Sequence, residues 1–68
     1  MGIIVKLDSV MARRNISLTE LSERIGITPA NLSNIKRGKG RAIRFSTLAA
    51  LCHELHCQPA DILEYEER

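Results

Sequence analysis

The chain has 68 residues, 44% of them hydrophobic, with two cysteines, one Phe, one Tyr, no Trp and a formal net charge of +2. That length fits one small core with no room for a separate effector domain, and the regular apolar spacing excludes intrinsic disorder. The scarcity of aromatics argues against a stacking platform for single strands, and the opening Ile3-Ile4-Val5 run stops at Lys6, too soon for a signal peptide or a membrane span.

Ile3-Ile4-Val5 is β-prone and reads either as a short strand or as the lead into a helix. Leu7, Val10 and Met11 fall at i, i+3 and i+4 and predict a first helix ending near Arg13-Arg14-Asn15, where cations suit the negative end of the helix dipole. At the next helix start, Ser17 and Glu20 have capping-box spacing, and Ile16 and Leu21 have hydrophobic-staple spacing. Leu18, Leu21 and Ile25 carry the apolar stripe to Gly26, which stops the helix. A third helix follows at once. Thr28 is its N-cap, Pro29 its first residue, Ile27–Leu32 a second staple, Leu32 and Ile35 its inner face, and Gly38 its end. Two helices joined by about three residues that include a glycine make a helix-turn-helix pattern.

Lys39-Gly40-Arg41-Ala42-Ile43-Arg44 is a basic connector. A fourth helix is predicted from about Phe45 to His56, with Leu48, Leu51, Cys52 and Leu55 at i, i+3, i+4 and i+7. Its start is open by two residues, because Ser46 is a good cap while Phe45 looks inward. Pro59 opens a short fifth helix through Leu63, and the charged end from Glu64 to Arg68 is strand or frayed. The expectation is an all-α, five-helix domain over residues 1–68, with short terminal strands possible and the helix-turn-helix proper at about 17–38.

Charge is segregated. The thirty residues from Arg24 to His53 hold six Lys or Arg and no acid, while all eight acids lie outside them. One surface can therefore pair with several phosphates without repelling a polyanion.

The residues from Ser17 to Gly38 resemble the helix-turn-helix of the phage-repressor and Cro family, also called the xenobiotic-response-element family. The likeness rests on apolar Leu21, Ile25, Ile27, Leu32 and Ile35, the turn glycine Gly26, and the closing Gly38-Lys39. The five-helix layout extends it over nearly the whole chain. The resemblance implies a lambda-repressor-like fold and a sequence-specific regulator of transcription, most simply a repressor, that binds double-stranded DNA as a homodimer in the cytoplasm of a bacterial or phage-infected cell. It also implies that the third helix meets the major groove. The outward candidates on that helix are Thr28, Ala30, Asn31, Ser33, Asn34 and Arg37, with Ser33 and Asn34 foremost. Asn bonds adenine, Arg pairs with guanine, and an alanine methyl touches a thymine methyl. Phosphate candidates are Thr19, Lys36, Lys39, Arg41 and Arg44.

There are departures from the family pattern. Leu18 stands where many members place a phosphate-contacting Gln, which leaves that contact either missing or made by Thr19. Ser22 replaces a small alanine packed against the turn. Pro29 and Ala30 replace polar base readers, which argues against bidentate adenine recognition from the helix N-terminus. Candidate dimer surfaces are residues 2–5, residues 63–66 and the fifth helix.

Cys52-His53-Glu54-Leu55-His56-Cys57 invites a zinc assignment. Four ligands cannot converge from one continuous helix, however, and Cys57 would point away from the face shared by Cys52 and His56. Cys52 lies on the apolar stripe and is expected to be a buried, reduced thiol, with no metal and no cofactor. No nucleophile–base–orienter set suggests an enzyme. The alternative from another class is an antitoxin or adaptor that binds a protein partner and autoregulates, to which an acidic C-terminal end is suited. A toxin-like reading frame beside the gene would favour that alternative, and an upstream palindrome the regulator.

Overall fold

Eight apolar side chains, each at most 7% exposed, form the core: Leu7, Val10, Met11, Leu21, Leu32, Leu51, Leu55 and Ile62. They come from five helices in the computed structural model, which describes residues 2–38 and 42–67. The order is β1 (Gly2–Val5), α1 (Leu7–Arg14), α2 (Leu18–Ile25), α3 (Pro29–Lys36), α4 (Phe45–Leu55), α5 (Pro59–Ile62) and β2 (Leu63–Glu66). α4 is the hub, packing against α1, α2 and α5, while α3 packs on α2. β1 and β2 form an antiparallel ribbon with Gly2 opposite Glu66 and Val5 opposite Leu63. The first and last segments are thus strands. α5 ends at Ile62, one residue earlier than the sequence suggests, because Leu63 turns extended to face Val5. The Lys6 N–H donates to the Ile62 carbonyl at 2.6 Å, and the Lys6–Glu64 ion pair at 3.0 Å fastens the same seam.

Local signals place the helix starts. Ser17 Oγ accepts the Glu20 N–H at 3.1 Å, and Thr28 Oγ1 accepts the Asn31 N–H at 3.1 Å. The reciprocal half of the Ser17–Glu20 box is replaced, since Glu20 turns its carboxylate to Arg24 one turn on, at 2.6 Å. α4 begins at Phe45 with Arg44 as N-cap, so Ser46 lies inside the first turn and is not the cap. Phe45 is 87% exposed, contrary to the inward reading. It stands three residues before Leu48 on the same stripe, but the stripe there runs past the helices that cover it.

Among the described residues, three helices end in a left-handed residue followed by a long-range backbone bond of the Schellman type. In α1, Asn15 (φ 54°) precedes Ile16, whose N–H reaches the Met11 carbonyl at 3.2 Å. In α2, Gly26 (φ 76°) precedes Ile27, bonded to the Ser22 carbonyl at 3.1 Å. In α4, His56 (φ 50°) precedes Cys57, bonded to the Cys52 carbonyl at 3.1 Å. A β-carbon in this conformation costs about 1–2 kcal/mol, and a β-branched one more. A Cβ at Gly26 would meet no heavy atom within 4 Å, so only backbone strain opposes it. Gly26→Val is therefore expected to lower stability by about 2 kcal/mol, and His56→Gly to raise it by up to about 1 kcal/mol. Thermal melting of the two variants checks both signs; an unchanged Gly26→Val would contradict the turn geometry.

Arg14 ties the first helix to the end of the fourth. Its Nε donates to the Leu55 carbonyl at 2.7 Å and its Nη2 to the His56 carbonyl at 2.9 Å. These are two of the carbonyls that α4 leaves without helical partners.

Candidate nucleic-acid interface

α3 packs on α2. Ser22 of α2 is fully buried, and its hydroxyl donates to the Thr19 carbonyl at 2.7 Å, so its burial leaves no orphaned donor. α3 commits Leu32 wholly and Ile35 partly to the interior. The opposite side leaves Thr28, Pro29, Ala30, Asn31, Asn34 and Arg37 exposed. Ser33 is half-buried, because it lies next to Leu32 on the shoulder of the helix, so it does not stand out with Asn34 as expected. The Thr28 hydroxyl serves as cap, yet its own hydrogen stays available to donate.

Asn31 and Asn34 open into a cleft of about 470 Å³ whose far wall is Arg44 and Thr47, with Ile27, Ile35 and Ile43 in its floor. The outward face of α3 and the first turn of α4 thus border one open cleft. Arg44 makes no side-chain hydrogen bond to that turn, which leaves its N–H groups and the positive end of the helix dipole facing out. Thr47 was not a candidate from sequence; its signal was its place in the first turn of a helix preceded by a basic connector.

Of the phosphate candidates, Thr19 and Arg44 are exposed and Lys36 is half-buried. Lys39 and Arg41 lie outside the described residues. Arg24 leaves the count of free cations, since it pairs with Glu20 at 2.6 Å and approaches Glu54 at 3.8 Å. The acid-free stretch along the chain is therefore not an acid-free surface at its α2 end.

Among the described residues, no three of His, Cys, Asp and Glu are grouped so as to hold a metal ion, and no helix is long and apolar enough to cross a membrane. Cys52 and Cys57 are free and both are half-buried, so Cys52 is more accessible than its place on the apolar stripe suggests.

The family model for the Cro/C1-type HTH DNA-binding domain matches residues 6–68, which is nearly all of this fold. The chain belongs to that family. It is 62% identical over 65 residues to an uncharacterized HTH-type transcriptional regulator, YozG, of Bacillus subtilis strain 168, covering 96% of this chain and 77% of that protein. Two crystal structures of the clp gene regulator ClgR from Corynebacterium glutamicum share the fold at 34% identity over 82% of this chain, with TM-scores of 0.76 and 0.73. The chain spans 58% of the first ClgR chain and 71% of the second. The resemblance read from Ser17 to Gly38, and the five-helix architecture drawn from it, are thereby borne out.

Proposed function

We propose that this chain is a repressor that binds its operator as a homodimer, with α3 in the major groove and the first turn of α4 on the adjoining phosphates. Membership of a DNA-binding family makes it a DNA-binding transcription regulator rather than an enzyme. The reading of the groove rests on one observation: Asn31 and Asn34 share a cleft with Arg44 and Thr47. Amide side chains suit base edges, whereas a guanidinium, a hydroxyl and free helix N–H groups suit phosphate. Ala30 and Arg37 extend the base-reading edge, and Thr19 and Lys36 hold the backbone on either side, joined by Lys39 and Arg41.

Pairing of two copies follows from the small size of this reading face, since two modules double both base readout and phosphate count. Ile3, 63% exposed, and Tyr65, 56% exposed, lie opposite each other on the β1–β2 ribbon, an apolar surface available for that pairing.

Operator sites selected from random duplex DNA allow a direct test. Asn34→Ala should lose discrimination at one or two positions by about 1–3 kcal/mol while non-specific affinity holds. Arg44→Ala should weaken all sequences alike and lower the salt slope by about one per protomer. Equal weakening of every sequence by Asn34→Ala would move the reading face elsewhere. Sedimentation of the DNA-free protein tests the homodimer, and a monomer at micromolar concentration would contradict it.

A further inference from the structure

Two cysteines at the end of α4, Cys52 and Cys57, lie outside the proposed DNA-binding set. In a Schellman ending, the residue that closes the six-residue backbone bond sits against the residue at its other end, and their side chains commonly touch. Here those residues are Cys57 and Cys52, joined by the 3.1 Å N–H to carbonyl bond, with left-handed His56 reversing the chain between them. Reading the segment as a continuous helix pointed Cys57 away. The chain instead turns back at His56, which brings Cys57 beside Cys52 across the helix ending. Both thiols are free and only half-buried. A surface hollow of about 140 Å³ lined by Val10, Arg13, Arg14, Cys57 and Asp61 gives access to one of them. The two arginines make its rim suited to an anionic reagent despite the single carboxylate.

We propose that Cys52 and Cys57 form a dithiol–disulfide couple, oxidised by exchange with a small anionic disulfide that enters over Arg13 and Arg14. One cysteine thiolate attacks the disulfide RSSR, forming a mixed disulfide and expelling RS⁻. The second cysteine thiolate attacks the protein sulfur of that mixed disulfide, closing the Cys52–Cys57 bond and expelling a second RS⁻. The two protons lost by the cysteines go to the two leaving thiolates. The chain is thus oxidised by two electrons and RSSR is reduced to two RSH. Burial pushes the Cys57 thiol up, Cys52 and Asp61 add to the rise, and Arg14 opposes it. A thiol held protonated in this way slows its attack, because the thiolate is the nucleophile.

The test uses glutathione as the probe. The full chain is equilibrated in a series of reduced-to-oxidised glutathione ratios, in native buffer and in concentrated urea, then quenched in acid and weighed. The expected species is an intramolecular disulfide, about 2 Da lighter than the dithiol. The thiol pair should show an effective concentration at least about tenfold higher folded than in urea, because the helix ending already holds the two sulfurs together. Cys52→Ser and Cys57→Ser should each stop at the mixed disulfide, with circular dichroism showing that they remain folded. An effective concentration no higher in the folded chain than in urea would overturn the proposal, as would a native sample dominated by mixed disulfides or by linked dimers. The comparison of folded with unfolded chain needs no variant, so it decides the matter even where a serine substitution disturbs the fold.

Discussion

Raising salt from about 50 to about 200 mM is expected to weaken operator binding by roughly a thousandfold. Each phosphate neutralised on duplex DNA contributes a log–log slope of about −0.9 through counterion release. The basic residues beside the reading face are Lys36 and Arg44, with Lys39 and Arg41 in the connector. With about three phosphate contacts per protomer and about six per dimer, the slope is about −5, and a fourfold change in salt gives that factor. Titration of a labelled operator duplex at four or more salt concentrations measures it. A flat response, or tighter binding of single strands or RNA, would contradict the proposed mode.

The second large effect concerns the hub helix. Leu51 is fully buried at the centre of α4, so Leu51→Ala removes its packing and leaves a cavity, at a cost of about 3–4 kcal/mol. A domain of this length has a total stability of about 3–10 kcal/mol, so that loss takes a large part or all of it. Urea denaturation should show a midpoint displaced far toward zero, or no folded baseline at all. Phe45→Ala provides the contrast. It removes a larger side chain from the same helix, yet at 87% exposure it should change stability by no more than about 0.5 kcal/mol. A large loss at Phe45, or a small one at Leu51, would mean that α4 is rotated about its axis from the orientation described.

What could be read from sequence was local. Gly26, Thr28 and Pro29 mark the turn and the start of α3 through backbone preferences that each residue carries alone, and all three are where those preferences place them. Asn31, Asn34 and Arg37 follow from helical period once Leu32 and Ile35 define the inner face.

What escaped depended on neighbours distant in the chain. Period gives the direction of Phe45 but not whether another helix lies there to cover it. At Asn15 and His56 the sequence places the helix ends, but without a glycine the left-handed conformation and the backbone bond that follows it are not announced. Arg14 suits the end of its own helix by charge, yet its hydrogen bonds go to α4, 41 and 42 residues away. Arg24 belongs to an acid-free run in sequence, while Glu54 from beyond that run approaches it in space. The cleft that Asn34 and Thr47 both line is formed from α3, the segment before α4 and the first turn of α4, which no spacing within either helix encodes.

The antiparallel pairing of Gly2 with Glu66 has a practical consequence. These two positions lie 64 residues apart in sequence, so their pairing depends on how the helices between them are packed and not on local preference. Paired residues on such a ribbon stand about 5 Å apart, whereas an unfolded chain of this length separates its ends by tens of ångströms. Two labels, one near each of these positions, would therefore report unfolding that parts the ribbon as a large change in separation.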